Sequence, residues 1–236
     1  MALLTISGQI GTGAREIGRL IADRLQIDYI DQEILVEAAR ELGVSMESVV
    51  SLDERTAGLG ERLAGMLRRF LESSAAAGAS DPMLGAGGLD IMLGRTYAEA
   101  AAGEGLQEVS PGRYLERLTG IMRDLAAHDD VLVIGRGSQM ILADWPGAFH
   151  VLLVAPRDQR IEFVSARDGL SRDDAAKRVH DGDKGRVDFH HKFFKVNVDA
   201  PWLYHLTVNT ARFSLEECAD LVAEAARGAP PPPKPS

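Results

Sequence analysis

Cysteine is all but missing: Cys218 is the single one among 236 residues. That excludes an internal disulfide and a cysteine-based metal site. With Leu215, Leu221, Val222 and Ala225 at helical spacing around it, Cys218 reads as a small buried hydrophobe. Long apolar runs are missing as well. No stretch approaches the roughly 18–20 residues of a membrane helix, and the segment Met1 to Gly8 has no basic stretch and reaches glycine too early for a signal peptide. The expectation is a cytoplasmic chain without a membrane partner. An excess of positive charge is also absent. The formal net charge of −9 argues against a nucleic-acid surface.

What is present is 45% hydrophobic residues, enough to bury the core of one α/β domain with an insertion. Charge is unevenly spread. Residues 151–195 hold ten Lys/Arg against eight Asp/Glu, whereas residues 1–72 hold eight against twelve. A locally arginine-rich stretch in an acidic chain suits a small anionic ligand better than a polyanion.

Leu3 to Ser7 is a short apolar run ending at glycine, as a buried parallel strand would. The turn Gly8-Gln9-Ile10-Gly11-Thr12-Gly13 follows. A helix then carries Ile17, Leu20, Ile21 and Leu25 on one face. Residues 28–31 read as a second strand and 32–42 as a helix. Residues 61–72 and 114–127 have helical periodicity, and 73–90, rich in Ala, Gly and Ser, read as a mobile loop. Val131–Ile134 and Phe149–Val154 are continuous apolar runs of strand length. Residues 157–168 and 171–181 read as helices, and 206–209 as the last strand. Ser214 with Glu217 forms a capping box that opens a final helix. The proline-rich tail, residues 229–236, is expected to be disordered. Strands alternating with helices imply a parallel sheet, with ligands at the carboxyl ends of its strands. That rule places the Gly8–Gly13 turn, Asp31, Arg136 and the loop after Val154 on one rim.

The first turn fits G-x-x-x-x-G with a strand before it and a helix after it. Inward backbone N–H groups and the positive end of the helix make phosphate its natural guest. A tight strand–helix turn needing glycine only for its backbone would read the same. The full motif continues with Lys and then Ser or Thr, and here those positions are Ala14 and Arg15. Arg136, between Gly135 and Gly137 at a strand end, can present a planar fork to a phosphate or a base edge, or be an ordinary surface arginine. Arg160, Arg167, Arg172, Arg178 and Arg186 populate the basic stretch. They could converge on a phosphoryl group, or pair with the interleaved aspartates of a solvated helix. His180, His190 and His191 lack the spacing of a metal site, and no metal ligands are assigned. Ser7 lacks the setting of a hydrolase nucleophile.

Taken in order, residues 6–18, Tyr29-Ile30-Asp31, Ile134-Gly135-Arg136-Gly137, Asp183-x-x-Arg186 and Val208-Asn209-Thr210 resemble the cytidylate-kinase-like family, a branch near the nucleoside monophosphate kinases. The resemblance covers residues 3–227. It implies a P-loop kinase-type parallel sheet flanked by helices, with a helical insertion and an arginine-bearing lid. The core would be residues 1–31 and 129–228, with the lid at about 170–198, and the acceptor-binding insertion residues 32–128. ATP and Mg2+ are the implied cofactors, with the γ-phosphoryl passing to CMP or dCMP. Carried over residue by residue, the ATP loop is Gly8, Gln9, Ile10, Gly11, Thr12, Gly13, Ala14 and Arg15. Arg136 matches a signature arginine, and Asp183 and Arg186 match a lid-side pair that contacts the acceptor; the rim adds Asp31 as an acceptor candidate, and Arg15, Arg160 and Arg167 are the candidate catalytic cations. The sequence departs from the true kinases at Ala14, Arg15 and Gly137, where the loop lysine, a hydroxyl residue and a signature aspartate would stand. In the like-named branch a Gly-Arg or Ala-Arg loop ending is usual. Two other readings stay open: a non-catalytic nucleotide sensor or interaction protein on the same fold, and a kinase of another small acceptor.

Overall fold

A computed structural model of the chain describes residues 3–31, 111–128 and 130–228. Five strands, β1 (Leu3–Gly8), β2 (Asp28–Ile30), β3 (Val131–Ile134), β4 (Ala148–Val154) and β5 (Leu206–Asn209), form one sheet. Its order is β2-β3-β1-β4-β5, and every neighbouring pair is parallel. This is a P-loop kinase-type sheet flanked by helices. β1 lies at the centre, between β3 and β4. The chain leaves β1 toward one side of the sheet and later crosses to the other, so the carboxyl ends of β1, β3 and β4 surround the switch point where such sheets bind ligands.

The helices are α1 (Ala14–Leu25), α2 (Pro111–His128), α3 (Ser138–Ile141), α4 (Arg157–Asp168), α5 (Arg172–Phe194) and α6 (Leu215–Arg227). One sheet face is covered by α1 and α6. There Ile17, Ile21, Ala22, Cys218, Ala219 and Val222 pack against Leu4, Ile6, Leu132, Val151, Leu153 and Val208 in a single apolar cluster. The periodicity read from the sequence puts those residues inward. Side chains alternate along a strand, so Leu3, Thr5 and Ser7 look the other way, toward the side where α3 contacts β1.

Local signals fix several boundaries. Ser214 and Glu217 make a reciprocal capping box at the start of α6, and Ser171 accepts the Asp174 N–H at the start of α5. The sequence reading ended α5 at Asp181, but the helix runs on to Phe194. Gly182 and Gly185 cost helix propensity, yet each lies where the chain packs closely. A Cβ at Gly182 would sit 2.5 Å from Ile10 Cγ1, and Gly185, Arg186, Phe189 and His190 form a buried stripe beyond it. Among the described residues, no helix is long and apolar enough to cross a membrane. The helices expected over 32–42 and 61–72, the loop over 73–90 and the proline-rich tail lie outside the described residues.

Candidate active site at the carboxyl ends of the strands

β1 delivers the chain into the glycine turn. The Gln9 N–H extends the ladder by donating to Leu153 O at 3.2 Å, and Gln9 Oε1 accepts from the Ala155 N–H at 3.3 Å. The turn then closes on itself, with Thr12 N–H and Thr12 Oγ1 both donating to Gln9 O, at 3.2 and 2.8 Å. Gly11 has φ +88° and a Cβ there would lie 2.5 Å from Arg160 O. Only glycine serves at that point. α1 starts at Ala14 behind Gly13, which is left-handed and supplies no side-chain cap. The first amides of a helix have no acceptor within it, and here no capping side chain is provided. The positive end of α1 therefore faces the rim with its donors suited to an anion.

Five of the arginines singled out from the sequence meet carboxylates here. Arg15 Nε is 3.9 Å from Asp31 Oδ2, and the same Asp31 oxygen accepts from Tyr29 OH at 2.9 Å. Burial first, then the Asp31 charge, holds the Tyr29 phenol well above its ordinary range. Arg160 Nη1 is 2.6 Å from Asp183 Oδ2. Arg167 grips Asp168 with two nitrogens, at 2.7 and 3.0 Å, and lies 3.7 Å from Glu16. Arg178, on α5, reaches the same Asp168 Oδ2 at 3.0 Å. Arg186 Nη1 donates to Asp199 Oδ1 at 2.7 Å. These cations do not share one focus: each is balanced by its own aspartate, except that Arg167 and Arg178 divide Asp168 between them.

Asp183 does more than pair with Arg160. Its Oδ1 accepts the Ile10 N–H at 3.0 Å, which brings the middle of α5 onto the glycine turn. Arg186, one helical turn later, donates from Nη2 to Ser7 Oγ at 2.9 Å and is 2% exposed. It therefore lies under the last turn-ward residue of β1 before Gly8. Arg136 sits at φ +57° between Gly135 and Gly137, both also left-handed. A non-glycine residue there carries about 1–2 kcal/mol of strain. Arg136 is nonetheless 3% exposed, and the turn is tied to β1 by Gly135 N–H donating to Ile6 O at 2.9 Å. A Cβ at Gly137 would lie 2.7 Å from the Phe194 ring, so an aspartate there would have to push that ring aside.

Sequence reasoning missed the polar cluster behind that turn. His190 Nδ1 is 2.8 Å from Arg186 O, a carbonyl that only accepts, so the proton sits on Nδ1. Nε2 then accepts from Gln139 Nε2 at 2.9 Å. The Gln139 amide also reaches Tyr204 OH at 3.4 Å, and Tyr204 OH donates to Val198 O at 2.7 Å. Val198 precedes Asp199, which returns to Arg186. Burial pulls the His190 pKa down to about 4, so the ring is neutral at pH 7. The His190-His191 pair was the visible signal, read only as a metal question.

A model of the cytidylate kinase-like family matches residues 3–212. A cytidylate kinase from Thermoplasma volcanium is similar, 28% identical over 138 residues that make up 55% of this chain and 73% of that protein. A uronate isomerase from Corynebacterium glutamicum is 30% identical over 99 residues, 42% of this chain, and the match spans 19% of the isomerase's length. An uncharacterized protein from Eubacterium ventriosum has a similar structure, with a TM-score of 0.62, 15% identity, and 97% and 99% of the two chains covered. A gluconokinase from Sinorhizobium meliloti follows at a TM-score of 0.50 and 12% identity, covering 96% and 92%. At such identities the structural likeness is one of fold.

Proposed function

The chain belongs to the cytidylate kinase-like family, and from that premise we propose that it binds a nucleoside triphosphate at the Gly8–Gly13 turn and transfers the γ-phosphoryl group to a nucleoside monophosphate. CMP or dCMP is the acceptor the family resemblance favours. One observation carries the reading. A left-handed glycine pair precedes a helix with no side-chain cap, at the carboxyl end of the central strand of a parallel sheet.

The fit to polyphosphate is in the backbone. Amides at the start of α1 would hold the phosphates, and ATP supplies the phosphoryl group when bound. The fit to a magnesium-holding hydroxyl is poorer, because Thr12 Oγ1 donates inward to Gln9 O and Arg15 occupies the usual hydroxyl position. Magnesium would be held chiefly by the phosphates themselves. The acceptor's own phosphate suits Arg136 and Arg186, with Asp31 at the β2 end of the rim. Arg15 and Arg167, now on Asp31 and on Asp168 with Glu16, would exchange those carboxylates for phosphate oxygens as charge develops. In-line transfer needs positioning and charge stabilisation more than covalent help.

Ala14 and Arg15 favour a second reading, a nucleotide sensor without turnover. Phosphorus NMR of the protein with MgATP and a panel of nucleoside monophosphates separates the two. New ADP and nucleoside diphosphate resonances support the kinase. Nucleotide broadening without turnover supports the sensor. Unchanged spectra overturn both.

A further inference from the structure

We propose that Asp183 and Arg160 are positioning residues for the nucleotide turn, an ion pair that pins its leading arm to α5 so that the turn keeps its phosphate-receiving shape only while α5 is docked. The proposal rests on the reading of Gly8–Gly13 as the triphosphate site.

Ile10 is where the contacts meet. Its N–H donates to Asp183 Oδ1 at 3.0 Å, and its carbonyl accepts from Arg160 Nη1 at 3.0 Å. The same Nη1 lies 2.6 Å from Asp183 Oδ2. Both polar groups of one turn residue are therefore held by a single carboxylate–guanidinium pair, which fixes the planes of the peptides on either side. Arg160 Nε donates to Ala155 O at 3.0 Å, anchoring the pair to the end of β4. Charge-assisted bonds of this kind are the strong ones.

The side chain of Ile10 points the same way. It packs on the apolar cluster of Ile161, Val164, Ala175 and Val179, which belongs to α4 and α5. Gly182 leaves no room between α5 and Ile10 for even a methyl group. Gly11 is equally tight against the backbone of Arg160. Hydrogen bonds and apolar packing thus both join Ile10 to the α4–α5 pair, with Gly11 close-packed beside it. The pinned amide lies four residues before Ala14, so the amides at the start of α1 remain the anion's. Arg160, buried and committed to two carbonyls and a carboxylate, acts through the turn.

The test is calorimetric titration of the full chain with MgATP and, separately, with CMP, together with amide hydrogen exchange of the free protein. The proteins are wild type, Asp183→Ala, Asp183→Asn, Arg160→Met and the Asp183→Ala/Arg160→Met double variant. The single alanine and methionine changes should each weaken MgATP at least fivefold, and the double variant no further than the weaker single. CMP affinity should fall less than MgATP affinity in every variant, even though the family resemblance gives Asp183 to the acceptor. Asp183→Asn keeps an acceptor for Ile10 and should fall between wild type and Asp183→Ala. Exchange at Ile10 should quicken at least tenfold in Asp183→Ala. A loss confined to CMP, additive losses of MgATP binding, or unchanged Ile10 exchange would each overturn the proposal. The exchange measurement needs no nucleotide. Faster Ile10 exchange with no MgATP binding by any of the proteins sinks the nucleotide reading and leaves the pinning intact; normal MgATP binding with unchanged exchange sinks the pinning alone.

Discussion

The two faces of β1 lead into two different interiors. Leu4 and Ile6 enter a cluster made of aliphatic side chains from α1, α6 and the neighbouring strands. Thr5 and Ser7, the alternate residues, enter a polar one: Thr5 Oγ1 lies 2.7 Å from His150 Nδ1, and Ser7 Oγ accepts from Arg186. The apolar face needs volume and shape, so many residues of the right size would serve. The polar face needs particular partners, since an unsatisfied buried donor costs about 1–3 kcal/mol. Stability is stored on the first face. The second spends part of it to hold Arg186, and the strand ends beside it, in one arrangement.

The largest effect should come from breaking each face in turn. Ile6→Ala removes buried methylenes and should lower stability by about 2–5 kcal/mol, read as a fall in unfolding free energy, with CMP affinity per folded molecule unchanged. Arg186→Met leaves Ser7 without its donor and Asp199 without its cation, at about 2–3 kcal/mol because Asp199 is partly solvated. Unlike Ile6→Ala, it should also weaken CMP binding at least tenfold, about 1.4 kcal/mol. Equal CMP losses in the two variants would erase the distinction between the faces.

Acid should attack the polar face first. Burial first, then the neighbouring His205, lowers the His150 pKa to about 4, and burial lowers that of His190 to about 4. An unfolded histidine titrates near 6.5. Stability is therefore complete above about pH 6.5 and drains as pH falls toward 4, at up to about 1.4 kcal/mol per pH unit for each ring. Thermal melts across pH 4 to 7 should show that slope, and His190→Gln should flatten it by about half. A wild-type profile flat over this range contradicts the burial of both rings.

Gly137→Asp introduces the aspartate that the resemblance would place there, but it forces a side chain into a left-handed backbone against Phe194. A stability loss of about 1–3 kcal/mol is expected by chemical denaturation, with no gain in turnover. The smallest effect belongs to the apolar face's outer edge. Ser214→Ala removes the side-chain acceptor of the α6 capping box and should cost about 1 kcal/mol, leaving nucleotide and acceptor affinities untouched.

The sequence shows the apolar face far better than the polar one, and the reason is periodicity. Ile17 and Ile21 in α1, and Cys218 and Val222 in α6, repeat at helical spacing, and β1, β3 and β4 are mostly apolar runs of strand length, so local pattern announces them. The strand–glycine–helix turn was equally local. Arg186 and Asp199, by contrast, are thirteen residues apart and meet across the end of a helix. Gln139 and His190 are fifty-one apart and share no repeat. Thr5 and Ser7 were absorbed into an apolar run because both are small. The continuation of α5 through Gly182 was hidden for a related reason: what makes glycine suitable there is Ile10, far away in the chain.

All of this turns on whether the lysine-free glycine turn receives phosphate, and calorimetric titration of MgATP into wild type and Gly11→Ala asks that directly. Gly11 combines φ +88° with the backbone of Arg160 at 2.5 Å from an added Cβ, so the variant must displace the turn or the α4 backbone against it. The account predicts saturable binding to the wild type and at least a tenfold loss in Gly11→Ala, with CMP affinity retained. MgATP binding that is absent from the wild type, or identical in the two proteins, would contradict it.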